Sequence, residues 1–150
     1  MMILNGIEFP LCTDSDDPIG THFYIHESDN EDGTIAIGLD ASFKRNTLDG
    51  EEIKPSFDIA FFETGKTEIS ELVGLVFEVN SIEDSLERED MFYVWEHEPF
   101  EKLKLEIVNV DMGEGKVHIK CEGIAVIDGY SDPYVTATFT FESWLPIPSK

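Results

Sequence analysis

In the last third of the chain, apolar side chains fall on every second position. Leu103, Leu105 and Ile107 alternate with Lys102, Lys104 and Glu106. Val117, Ile119 and Cys121 alternate with Lys116, His118, Lys120 and Glu122, and Val135, Ala137, Phe139 and Phe141 alternate with Thr136, Thr138, Thr140 and Glu142. A period of two places the apolar side chains of each run on one face, which is a β-strand with its other face in water. Threonine on the wet face suits exposed sheet. Met112-Gly113-Glu114-Gly115 and the loop Asp128-Gly129-Tyr130-Ser131-Asp132-Pro133 separate the runs, so they predict a three-stranded antiparallel meander. At Gly123 the alternation slips and Ile124 and Val126 take over, which predicts a β-bulge or a bend.

Earlier segments are shorter but similar in kind. Thr21 to Glu27, Thr34 to Phe43 and Phe57 to Glu63 read as strands; Leu72 to Val79 alternates, and Met91 to Trp95 is short and aromatic. Helical signal is weak. Thr67 to Leu72 and Ser81 to Glu87 each open on a capping residue followed by acids suited to the positive helix end, so one or two short helices are expected. No repeat or Pro/Gly/Ser linker divides the chain. The prediction is a mainly β single domain over residues 1–150: an antiparallel β-sandwich or a partly open barrel with one or two short helices.

Composition agrees with that. A chain of 150 residues, 41% of them hydrophobic, buries roughly two thirds of its unfolded surface and needs no metal or disulfide to fold. Cys12 and Cys121 form no CxxC pair and no zinc spacing. Two reduced thiols are expected, the alternative being one disulfide from the N-terminal segment to a late strand. MMILNGIEFP lacks the basic start of a signal peptide, and no apolar run approaches the roughly 18 residues of a membrane span. A cytoplasmic location is expected.

Charge changes the picture most. The net charge is −22, from 32 acidic and 10 basic residues. It is uneven: residues 1–101 hold 25 acidic and 5 basic side chains, residues 102–150 hold 7 and 5. Such a field repels nucleic-acid phosphates and anionic lipid heads and steers cationic partners inward. Neither nucleic acid nor membrane is expected as a partner. The plainer reading is solubility alone.

Candidate chemistry narrows the choice. In SDNEDGTIAIGLD, Ser28 to Asp40, acids and amides alternate before a glycine, as in a calcium loop. Aligning Gly33 to the sixth position of an EF-hand puts Ser28 first and Leu39 twelfth, so the bidentate glutamate is missing. A β-hairpin turning at Asp32-Gly33 fits better. Weak divalent binding would need Asp14, Asp16 and Asp17 beside this loop in space. His22 and His26 lie four apart, about 13 Å along a strand, too far for one metal. His97, in Trp95-Glu96-His97-Glu98, has the carboxylates of a proton-transfer group but fits a polar strand end. No nucleophile motif or glycine-rich phosphate loop occurs. Carboxylates are so numerous that no glycosidase-like pair stands out. Trp95, Tyr93, Trp144, Tyr130 and Tyr134 fall near strand ends or loops, where a sugar-binding platform would place them and where core packing would too.

These residues lead to a non-enzymatic acidic protein that docks onto a basic protein partner, with no cofactor, metal or catalytic residue. The densest clusters are Asp14/Asp16/Asp17, Glu27/Asp29/Glu31/Asp32, Asp49/Glu51/Glu52, Glu83/Asp84/Glu87/Glu89/Asp90 and Glu96/Glu98/Glu101. From them, Asp29, Glu31, Asp32, Glu83, Asp84, Glu87, Glu96 and Glu98 are expected to meet lysine and arginine of the partner, with Tyr93 or Trp95 as the aromatic anchor. An immunity protein that neutralises a bacterial toxin has this general character, although no motif here carries a family match. Two rivals stand beside it. One is a small enzyme or ligand-binding domain with a pocket where His97 or His118 meets carboxylates. The other is a carbohydrate- or calcium-binding β module.

Overall fold

The computed structural model describes residues 1–12 and 20–148; Asp14, Asp16 and Asp17 lie outside the described residues. The strands are β1 (Met2–Leu4), β2 (Ile7–Phe9), β3 (His22–Glu27), β4 (Ile35–Ser42), β5 (Asn46–Leu48), β6 (Glu51–Ile53), β7 (Ser56–Glu63), β8 (Val76–Val79), β9 (Met91–Tyr93), β10 (His97–Glu98), β11 (Phe100–Asp111), β12 (Lys116–Asp128) and β13 (Val135–Pro146). A 3-10 turn covers Ile69–Leu72 and one helix, α1, covers Ile82–Arg88. A six-stranded sheet runs β2-β1-β13-β12-β11-β8, a five-stranded sheet runs β10-β9-β7-β4-β3, and β5-β6 is a separate hairpin. All neighbours pair antiparallel. The fold is the expected mainly β, sandwich-like architecture, and β11-β12-β13 is the expected meander.

One apolar cluster fills the space between the sheets. Its centre is Phe57 of β7, whose ring lies 5.7 Å from Phe43, 6.1 Å from Phe92 and 5.7 Å from Phe141, an inward residue of β13. Edge-on and offset rings at such separations add to the area they bury. Cys121 points into the same layer, and burial pushes its thiol pKa up. Cys12 is also buried, and neither thiol is in a disulfide.

Several local expectations need correcting. Gly123 is not a bulge: it stays in register with Leu103 and Phe139, and Ala125 and Ile127 continue the buried phase beyond it. A Cβ there would collide with the Lys102 carbonyl, so the glycine permits close backbone approach. The register shifts fall instead between Phe100 and Lys102, between Ile107 and Asn109, and between Val126 and Asp128. The strand expected from Leu72 starts only at Val76, because Leu72 ends the 3-10 turn, where Glu68 and Glu71 form a capping box. Five strands were not foreseen. β1-β2 and β5-β6 close through Asn5-Gly6 and Asp49-Gly50, with all four residues at positive φ, as two-residue type I′ hairpins require.

Candidate partner-binding face

Both sheets carry acids, but they differ in basic residues. The strands of the five-stranded sheet contain Glu27, Asp40, Asp58, Glu63 and Glu98 and no lysine or arginine. The six-stranded sheet carries Lys102, Lys104, Lys116 and Lys120. Lys104 stands opposite Glu78 and Glu122, and Lys120 opposite Glu106 and Glu142. Cross-strand pairs of opposite charge contribute about 0.2–1 kcal/mol each, and they leave that face mixed in sign.

The expected docking residues fall at three separate places, two on or beside the five-stranded sheet and one on a helix lodged between the β11 and β7 edges. Asp29, Glu31 and Asp32 are exposed in the connection between β3 and β4. It is a hairpin, as expected, but wider than a two-residue turn at Asp32-Gly33. Ser28 N–H donates to the Thr34 carbonyl across 3.0 Å, and Glu31 and Gly33 both have positive φ. The Ser28 hydroxyl accepts from Asn30 N–H at 3.0 Å. Asp32 accepts from both the hydroxyl and the N–H of Thr34, and these bonds hold its carboxyl below the usual range. Among the described residues no group of three or more His, Cys, Asp or Glu is placed to hold a metal.

Glu83, Asp84 and Glu87 lie on α1, whose N-cap Ser81 accepts from Asp84 N–H at 3.1 Å. Glu83 and Glu87 are exposed and Asp84 is half-buried. Two devices fix the helix. The buried Ser85 hydroxyl accepts from Phe100 N–H at 3.0 Å. Arg88 donates to Asp90 Oδ2 at 3.0 Å, to the Ala60 carbonyl at 2.8 Å and to the Phe61 carbonyl at 3.1 Å, and its guanidinium lies 3.5 Å from the Phe62 ring centre. Asp90 also accepts from Ala60 N–H at 2.8 Å. The part of the β7 edge that β9 leaves open is thereby sealed by side chains. Asp90 was grouped with the docking acids of its cluster; it is buried and serves this internal lock.

Tyr93 on β9, Trp95 and Glu96 after it, and Glu98 on β10 stand at the opposite end of the sheet from the β3-β4 turn, near its other edge. The Tyr93 ring lies edge-on to His97 at 5.2 Å. Tyr93 and Trp95, both about two-fifths exposed, open into a groove of about 430 Å³ with Ser42, Ser56, Arg45 and Lys54. The aromatic pair therefore has cations as well as acids beside it. Glu98 is half-buried, and its pKa is pushed up by desolvation first, then by Asp128 and Glu96.

Between these three places lies a further set of residues, in which His22 and His26 share the outer face of one strand as expected and Tyr24, Asp40, Asp58 and Phe61 were not singled out. Phe23, Leu39, Ala41, Phe57 and Ile59 point into the core, so His22, Tyr24, His26, Asp40 and Asp58 project from the outer face. A bulge between Ile37 and Leu39 turns Phe61 outward as well, and its ring meets His26 edge-on at 4.3 Å. Asp40 and Asp58 had a signal: each is a lone acid within an otherwise apolar strand run.

His118 does meet a carboxylate, Glu142 at 2.8 Å, and stacks on Trp144 at 5.1 Å. Both contacts lie on the six-stranded sheet, away from the acidic side. No protein-family model, curated protein or solved structure matches this chain. No helix among the described residues is long and apolar enough to cross a membrane.

Proposed function

We propose that this chain is a non-enzymatic binding protein whose five-stranded side docks onto a basic protein partner, and that it acts in the cytoplasm as an inhibitor of the immunity-protein kind, neutralising a bacterial toxin. One observation carries the reading: the strands of one sheet hold carboxylates without a lysine or arginine, while Lys104 and Lys120 of the other sheet stand opposite glutamates. Asp29, Glu31 and Asp32 at one end, Glu83, Asp84 and Glu87 beside the β7 edge, and Glu96 and Glu98 at the other end surround that face with negative charge. Such a field raises the association rate more than the final affinity. Tyr93, Trp95 and Phe61, each well exposed, supply the apolar contact that fixes the complex.

The test uses charge position. A partner retained on the immobilised protein at about 50 mM salt and released at about 500 mM is purified, since screening differs strongly across that range. Its association rate is then measured against Asp29→Asn/Glu31→Gln/Asp32→Asn and against Glu106→Gln/Glu122→Gln/Glu142→Gln. The first variant is expected to slow association severalfold and the second to leave it nearly unchanged. Equal slowing by both would mean that net charge, not this face, attracts the partner.

A further inference from the structure

At the middle of the five-stranded sheet, Asp40 of β4 and Asp58 of β7 stand directly opposite in register. Side chains so placed have Cβ atoms about 4.5–5.5 Å apart, close enough for the two carboxyl groups to share a proton. Tyr24 of β3 lies diagonally across from Asp40, within reach of its carboxyl. From β3, His22 is the register partner of Asp40 and Tyr24 its diagonal neighbour; from β7, Asp58 faces it. Met91 of β9 lies opposite Asp58. The next outward positions, Gly38 and Ser42 on β4 and Ser56 on β7, carry no charge, and His26 and Glu63 stand beyond them toward the β3-β4 turn. No lysine or arginine lies on these strands.

We propose that Asp40 and Asp58 share one proton under the Tyr24 hydroxyl and form a pH switch at the centre of the acidic face. The surroundings support it. Desolvation of the half-buried Asp40, then its hydrogen bond to Asp58 and the charge of Asp58, push its carboxyl up to about 7. Burial and Asp40 push the Tyr24 phenol up to about 12, so Tyr24 remains a donor throughout the physiological range. As pH rises through about 7, Asp40 loses its proton and the pair gains one negative charge. A carboxyl whose folded-state value stands above its unfolded one stabilises the fold fully at pH below the unfolded value, and this stabilisation is lost as pH rises through the folded value. Given the docking reading, which this consequence rests on, a cationic partner binds more tightly as the proton leaves, and binding itself releases a proton.

The switch is tested first without a partner. The folding equilibrium constant is measured by urea unfolding at about pH 5.5 and about pH 8.5 for the whole protein and for Asp40→Asn. The expected fall between the two, relative to the variant, is about tenfold once solvent screening at a half-exposed site is allowed for. Both proteins carry His22→Gln, because His22 is the register partner of Asp40. If Asp40→Asn does not fold, Asp58→Asn serves the same comparison, because the exposed Asp58 is the other half of the pair. Equal pH dependence in wild type and variant overturns the switch. The second arm titrates a short oligolysine peptide by calorimetry near pH 7, in buffers of different ionisation enthalpy. Net proton release in the wild type, absent in Asp40→Asn, supports the link. Peptide binding with no proton release overturns it. No peptide binding, with the stability arm intact, refutes the docking reading and leaves the switch standing.

Discussion

Removing Arg88 is the perturbation whose effect the structure specifies most closely. Asp90 has no exposed side-chain surface, and Arg88 is 18% exposed. Desolvation pushes the Asp90 carboxyl up, while the Ala60 N–H and Arg88 pull it down, so the acid depends on both to stay ionised. In Arg88→Ala the counterion is gone, the Ala60 and Phe61 carbonyls lose their donors, and the ring of Phe62 loses its cation. Deleting one partner of a buried pair costs about 3–5 kcal/mol. Water reaches the Phe61 carbonyl, which puts the expectation at the lower end, about 3 kcal/mol. For an unfolding slope of about 2 kcal/mol/M, that loss moves the urea midpoint down by about 1.5 M. The loss also depends on pH. Without Arg88 the folded-state value of Asp90 climbs further above the unfolded one, so the variant loses stability as pH rises through it. The gap to wild type is therefore wider at pH 8 than at pH 5. Asp90→Asn, which leaves Arg88 partly exposed and still bonded to the Ala60 and Phe61 carbonyls, is expected to cost less than Arg88→Ala. A loss for Arg88→Ala below about 1 kcal/mol, or one independent of pH, would refute the claim that this pair locks α1 onto the β7 edge.

Further expectations concern the core and the thiols. Phe57→Ala opens a cavity beside Phe43, Phe92 and Phe141 and should lower stability by about 3–5 kcal/mol in denaturant titration. Gly123→Ala places a methyl group against the Lys102 carbonyl, and its unfolding midpoint should fall well beyond the few tenths of a kcal/mol typical of a surface substitution. Trp95→Ala, at a half-exposed site, should leave the midpoint within about 0.5 kcal/mol while weakening partner binding. Cys121 should react with a thiol reagent only after unfolding, since its side chain is buried and burial raises its pKa.

What could be read from the sequence follows from what each signal measures. The period of two in β11, β12 and β13 is strong because those strands are long and wet on one face, so their pattern fixed both state and neighbours. Gly123 was misread because close approach of a neighbouring backbone and a bulge both demand glycine, and only the register separates them. Asn5-Gly6 and Asp49-Gly50 are strong local hairpin signals, yet the three-residue strands around them are too short to show a period. Asp32-Gly33 looked similar but sits in a wider turn fixed by Ser28 and Thr34. The excess of acid was plain from composition, but the absence of lysine and arginine from one sheet was not, because it depends on which strands become neighbours. For the same reason Asp40 and Asp58, 18 positions apart in the chain, meet only through the β4-β7 register.

The most direct test of the docking face is carboxylate footprinting, in which a carbodiimide couples an amine to accessible acids and mass spectrometry reads the extent at each residue. It is run on the protein alone and in complex with its purified basic partner. The expected result is reduced labelling at Asp29, Glu31, Asp32, Asp58, Glu83 and Glu87 in the complex, with Glu106, Glu122 and Glu142 labelled as before. Protection of Glu106, Glu122 and Glu142, with the first group unchanged, would place the partner on the six-stranded sheet and contradict the proposed function.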